Sequence, residues 1–240
     1  MRILSRRDIE AISRKVLLQY LKTCKETPTW IDPEDFGKQM LGIEFDYKEL
    51  CAAEDQVGLT VFGSVELNFY YPGGVKESFQ TNENIAIVDP FLLKAGNEGP
   101  LHYTMMHELA HRLLQLLFPG EYYFESPETR IYYSRSSRPH TGPVVDWLEW
   151  QSNVLASCLL LPRELIYKYM KQLELGDGIR LLNRVFAPKE YERFSEMAYI
   201  LGVSKTALSI RLSQLGLIGR NDLFNPYALV DVYPDDHEVA

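Results

Sequence analysis

The chain has 240 residues, 46% of them hydrophobic and 12% aromatic, with 25 Lys and Arg against 33 Asp and Glu for a net charge of −8. This is a globular composition, long enough to bury a core without disulfide staples, and the three cysteines, Cys24, Cys51 and Cys158, are odd in number and lack zinc-site spacing, so a reducing compartment is expected. The acidic balance disfavours a protein that coats nucleic acid. No apolar stretch follows Met1 as in a signal peptide, and none approaches the roughly 18 to 20 residues that span a bilayer, so a cytoplasmic protein without a membrane partner is expected.

From Ser5 to Lys25 the apolar residues Ile9, Ile12, Val16, Leu17, Tyr20 and Leu21 recur at helical spacing, which predicts an amphipathic helix. Its outer face is basic: seven Lys and Arg oppose two acids over residues 1–25, a net of +5. A solvated face explains this more simply than a partner surface. After a turn at Pro28 to Trp30, Asp32 caps a short helix that has Pro33 at its first position and runs to Leu41. Leu59 to Tyr71 reads as strand, with Val61, Val65, Leu67, Phe69 and Tyr71 on one parity, followed by a turn at Pro72-Gly73-Gly74. Asn84 to Asp89 is a second short strand. The loosest stretch is Gly120 to Pro143, rich in Tyr, Ser, Arg and Pro.

Leu101 onward reads as a helix ending before Pro119 and Gly120, and it contains His107-Glu108-Leu109-Ala110-His111. Histidines at i and i+4 project from one helix face and can reach one divalent ion, and a glutamate after the first can address a water on that ion. On a solvated helix the three polar side chains would ask nothing of their surroundings. Here Met105, Met106, Leu109, Ala110, Leu113 and Leu114 flank them, so the helix is expected to be buried, and buried imidazoles and carboxylates need partners that a metal supplies.

A catalytic zinc needs a third protein ligand and an open position. The extended form of the pattern, with a glycine and a third histidine following, is absent because Leu114 and Leu117 occupy those places. Glu125, Glu128, His140, Asp146 and Glu149 are the downstream candidates. The helix predicted from Pro143 to Pro162 favours Glu149, which shares a stripe with Asn153, Ala156 and Leu160. A carboxylate and an amide on a face that is apolar further along need partners unless they sit at its edge in water. Glu149 is therefore expected as third ligand, with Asn153 holding the free nitrogen of a ligating histidine.

Tyr103-Thr104-Met105-Met106-His107-Glu108-Leu109-Ala110-His111, then Glu149-Trp150-Gln151-Ser152-Asn153 leading into Leu159-Leu160-Leu161-Pro162, resembles the ImmA/IrrE metallopeptidases over roughly residues 30–165. The family has Phe, Leu, Ala and commonly Gly where this chain has Tyr103, Met105, Met106 and Ala110, and none of these departures removes a catalytic group. The resemblance implies an α+β fold, with a zincin-like core of small sheet plus active-site helices and a C-terminal helix-turn-helix-like appendage. The expected organisation is an N-terminal helix over residues 1–27, a metallopeptidase domain over 28–170 and a helical region with an acidic tail over 171–240. The resemblance further implies Zn2+ or another divalent ion on His107, His111 and Glu149, Glu108 as general base, and a helix-turn-helix repressor as protein substrate. An oxyanion donor is sought in the connection between the two metal helices, where His140 and tyrosines 122, 123, 132 and 133 lie.

Near the C-terminus, Ala198, Gly202, Ser204 and Leu208 have helix-turn-helix spacing, and Lys205, Thr206, Ser209, Gln214 and Arg211 could meet a DNA groove. Residues 190–240 nevertheless carry a net −4, whereas a DNA reader needs a basic footprint. A docking or substrate-recognition appendage is favoured over direct DNA binding. The rival to the peptidase is a metal-containing regulator that binds DNA or protein through these helices without cleaving anything.

Overall fold

The computed structural model describes residues 2–50, 56–70, 76–94, 96, 98–121, 131–135, 147–219 and 229–232. Helix α1 (Arg6–Thr23) begins at a capping box in which the Ser5 hydroxyl accepts from the Asp8 amide and the Asp8 carboxylate accepts from the Ser5 amide. It buries Ile9, Ser13, Leu17 and Tyr20 along one stripe. Asp32 caps α2 (Pro33–Phe36), which runs on through a π-helical turn to Leu41 and stops at Gly42, a left-handed residue.

The main sheet has the order β1 (Glu44–Tyr47), β5 (Ile85–Val88), β2 (Gln56–Val61), β6 (Ile131–Arg135). Strand β1 is parallel to β5, and the other pairs are antiparallel. A separate two-stranded ribbon, β3 (Val65–Tyr70) with β4 (Lys76–Thr81), closes over the face of β2 that carries Leu59 and Val61. The single strand expected from Leu59 to Tyr71 is thus two strands. Gly63, with φ of 90°, lies in the bend between them, and Tyr71 and the Pro72-Gly73-Gly74 turn lie outside the described residues.

Helix α3 (Glu98–Leu117) lies on the opposite face of the sheet and packs against α4 (Trp147–Leu160), which in turn packs against α1. The chain continues through α5 (Arg163–Gln172), α6 (Pro188–Ile200) and α7 (Lys205–Gln214). Ser204 caps α7, and Gly202, at φ of 65°, makes the turn before it. One apolar cluster runs from Leu4 through α3 and α4 to Leu217, so residues from all three expected divisions of the chain share a core. No described helix is long and apolar enough to cross a membrane.

Two polar contacts fix the C-terminal helices to this core. His102 on α3 donates from Nδ1 to the Gly202 carbonyl at 2.7 Å, with its ring against Trp30. Arg211, expected to be available for a groove, is instead 2% exposed. Its Nε donates to the Leu161 carbonyl at 2.9 Å, and its two terminal nitrogens reach the Glu10 carboxylate. The apolar flanks of α7, Leu208 and Leu212, turn this face of the helix inward, and the guanidinium follows them.

Candidate metal centre

Helix α3 is buried over Thr104 to Ala110 and beyond, as its apolar flanks predicted, so His107 (4% exposed) and His111 (1%) have no recourse to bulk water. Being four residues apart on one helix, the two rings stack edge to face at 4.6 Å with their Nε2 atoms 2.9 Å apart. Glu149, in the first turn of α4, faces them both. Its Oε1 is 3.1 Å from His111 Nε2 and its Oε2 is 3.3 Å from His107 Nε2. Among the described residues these three are a group of side chains that could hold a metal.

The donor set and its dimensions fit a divalent ion. A tetrahedral zinc with bonds of about 2.0–2.1 Å has ligand-to-ligand edges of about 3.3–3.4 Å. Here the two Nε2 atoms are 2.9 Å apart, and Glu149 sets one oxygen 3.1 Å from His111 and the other 3.3 Å from His107, so one donor atom from each of the three residues lies within 4.8 Å of the others. The electrostatics agree. Burial drives the His107 pKa down, yet the Glu149 hydrogen bond and the Glu108 and Glu149 charges outweigh it and hold the ring above its ordinary value. Burial likewise pushes Glu149 up, but hydrogen bonds to His107 and His111 hold its carboxyl far below the usual range. The pocket favours positive charge beside Glu149, which a bound divalent ion would supply.

The atoms behind the ligands differ from the sequence expectation in detail. Ser152 Oγ stands 3.1 Å from His111 Nδ1. With Nδ1–H donating to that hydroxyl, Nε2 keeps its lone pair for a ligand role. Asn153 uses its side-chain and main-chain oxygens to accept from the Tyr103 hydroxyl, at 3.1 and 3.2 Å. Asn153 also stands close enough to His107 to favour the charged ring, but His107 Nδ1 has no partner in hydrogen-bond geometry. Ser152 neighbours Glu149 by one helical turn, so its position was available from the same helix reading that selected Asn153.

Glu108 is fully buried beneath β2. Thr60 donates its hydroxyl to Glu108 Oε2, and Gly58, two residues earlier on the same strand, lies where any Cβ would collide with Glu108 Oε1. Neither residue carries a sequence signal for this role, because the contact spans 48 positions. Of the expected oxyanion donors, Tyr132 and Tyr133 lie on β6 as register partners of Thr60 and Leu59, on the strand beside the one that holds Glu108. His140, Tyr122, Tyr123 and the other ligand candidates Glu125, Glu128 and Asp146 fall outside the described residues. Comparison with protein families and with characterised proteins finds no match for this chain.

Proposed function

We propose that the protein is a zinc-dependent endopeptidase of the ImmA/IrrE type, with a zincin-like core and a helix-turn-helix-like C-terminal pair. The observation that carries this reading is the convergence of His107, His111 and Glu149 from two helices onto a volume the size of one ion, with Glu108 adjacent in sequence to the first ligand. A divalent ion held by His107, His111 and Glu149 would supply Lewis acidity toward a peptide carbonyl and would lower the pKa of water toward neutrality.

The protein's own groups do the rest. His111 is oriented by Ser152, and Glu149 bridges both imidazoles, so the three donors are set before any substrate arrives. Glu108 takes the proton from the attacking water and passes it to the departing amine, the general-base and general-acid role of a carboxylate next to a histidine ligand. Burial of His107, Glu108 and His111 limits access of bulk water and strengthens these interactions, while Glu149 stays 19% exposed. The substrate class follows from the sequence resemblance: a helix-turn-helix repressor whose cleavage changes transcription in the cytoplasm.

The test is cleavage of repressors encoded beside this protein by the zinc-loaded wild type and by Glu108→Gln. The proposal expects a new pair of fragments with the wild type and cleavage slower by about 100- to 10,000-fold with a variant that still holds one zinc. Equal cleavage by both removes Glu108 from its role.

A further inference from the structure

Thr60 and Gly58 are both on β2, 48 and 50 positions before Glu108, and alternate residues of a strand point to the same face. That face meets α3. The Thr60 hydroxyl, 3% exposed, donates to Glu108 Oε2, while its distance of 3.3 Å to the Glu108 main-chain carbonyl leaves that acceptor a secondary one. A hydroxyl has one proton, and donation to an ionised carboxylate is the stronger of the two bonds. The other carboxylate oxygen lies over the bare Cα of Gly58, where an added Cβ would also crowd Thr104 Cγ2 at 2.8 Å and Glu108 Cδ at 3.0 Å. The pairing of β2 with β6 slips by one residue between Gln56 and Gly58, an irregularity of the kind that re-aims strand residues beside active sites.

We infer that Gly58 and Thr60 are positioning residues that seat the Glu108 carboxylate: the glycine clears room for one oxygen and the threonine orients the other. The inference rests on the reading of Glu108 as the base of a metal site. A carboxylate on three rotatable bonds has many orientations on a helix, and only a narrow set is productive. The strand removes that freedom without offering a competing cation. Thr60 touches neither ligand atoms nor substrate in this account, and acts through Glu108 alone.

The experiment uses the full chain loaded with cobalt(II) alone, whose visible d–d bands respond to hydrogen bonding around the ion as well as to its ligands. Spectra at one fixed pH are compared for the wild type, Thr60→Val, Thr60→Ser, Gly58→Ala and Glu108→Gln, with cobalt stoichiometry and melting temperature alongside. The expected result is one cobalt per chain throughout, a band shift in Glu108→Gln, the same shift in Thr60→Val and Gly58→Ala, and the wild-type spectrum in Thr60→Ser. A wild-type spectrum in folded Thr60→Val or Gly58→Ala, with Glu108→Gln shifted, overturns the inference and leaves the reading of Glu108 standing. An unshifted Glu108→Gln spectrum removes Glu108 from the neighbourhood of the ion, and both readings fall together.

Discussion

Arg211 and Glu10 stand 201 residues apart in sequence and close a two-point ion pair, Nη1 to Oε2 at 3.0 Å and Nη2 to Oε1 at 2.7 Å. The same guanidinium caps the carbonyl of Leu161 at the end of α4, and the Cys158 thiol on α4 donates to Glu10 Oε2 at 3.2 Å. The first helix, the helix bearing Glu149 and the last helix are thereby tied at one point. Replacing Arg211 by Met takes the guanidinium from the Leu161 carbonyl and leaves the Glu10 carboxylate with the Cys158 thiol in its place. Breaking one partner of such a pair costs about 3–5 kcal/mol, at the lower end here because the Glu10 side chain is 31% exposed. Urea unfolding measures it. Arg211→Lys should recover only part of the loss, since an ammonium cannot reproduce the fork.

The same pair sets a pH dependence. Burial pushes Glu10 upward, but the hydrogen bond and charge of Arg211 outweigh it and leave its pKa lowered. A carboxyl with a folded pKa below its unfolded value of about 4.3 adds stability above that pH and loses it as pH falls through the folded value. The destabilisation caused by Glu10→Gln should therefore be full at pH 7 and shrink below about pH 4, read from urea midpoints across that range. A gap that stays constant with pH contradicts the linkage.

Ser152 holds His111 from behind. Ser152→Ala should weaken zinc binding by about 10–100-fold, the usual cost of losing a partner behind a metal ligand, while stoichiometry at saturating zinc stays at one. Competition with a chromophoric chelator measures the affinity.

Gly202 has φ of 65°, and a Cβ there would stand 3.0 Å from the Trp30 ring and 3.1 Å from His102 Nδ1. Gly202→Ala therefore combines backbone strain with a clash at the contact between the C-terminal turn and α3. A loss of more than about 1 kcal/mol is expected, seen as a lowered melting temperature.

The helix of His107 and His111 was legible because its histidines sit among Met105, Met106, Leu109 and Ala110, and a polar trio on an apolar helix demands a partner. Glu149 was legible for the same reason. Ser152 was not, because a small hydroxyl carries no burial penalty large enough to stand out in a sequence, and Asn153 drew attention instead. Thr60 looks like an ordinary strand residue and Gly58 falls just before the strand expected from Leu59, and their contact with Glu108 exists only once β2 is laid on α3. Strands β1, β4 and β6 are not legible because β1 alternates over only four residues, Glu44 to Tyr47, and β4 and β6 lack clean alternation. Arg211 is not legible as a buried residue: in a sequence an arginine signals exposure, and the distant Glu10 and the Leu161 carbonyl are what make its burial tolerable.

The central claim is that His107, His111 and Glu149 together hold one catalytic ion. Equilibrium dialysis against zinc, followed by metal analysis of the full-length wild type, Glu149→Ala, His111→Ala and Glu108→Gln, tests it most directly. The account predicts one zinc per chain in the wild type and in Glu108→Gln, and loss of tight zinc in the two ligand variants. A full complement of zinc in Glu149→Ala, or none in the wild type, would contradict it.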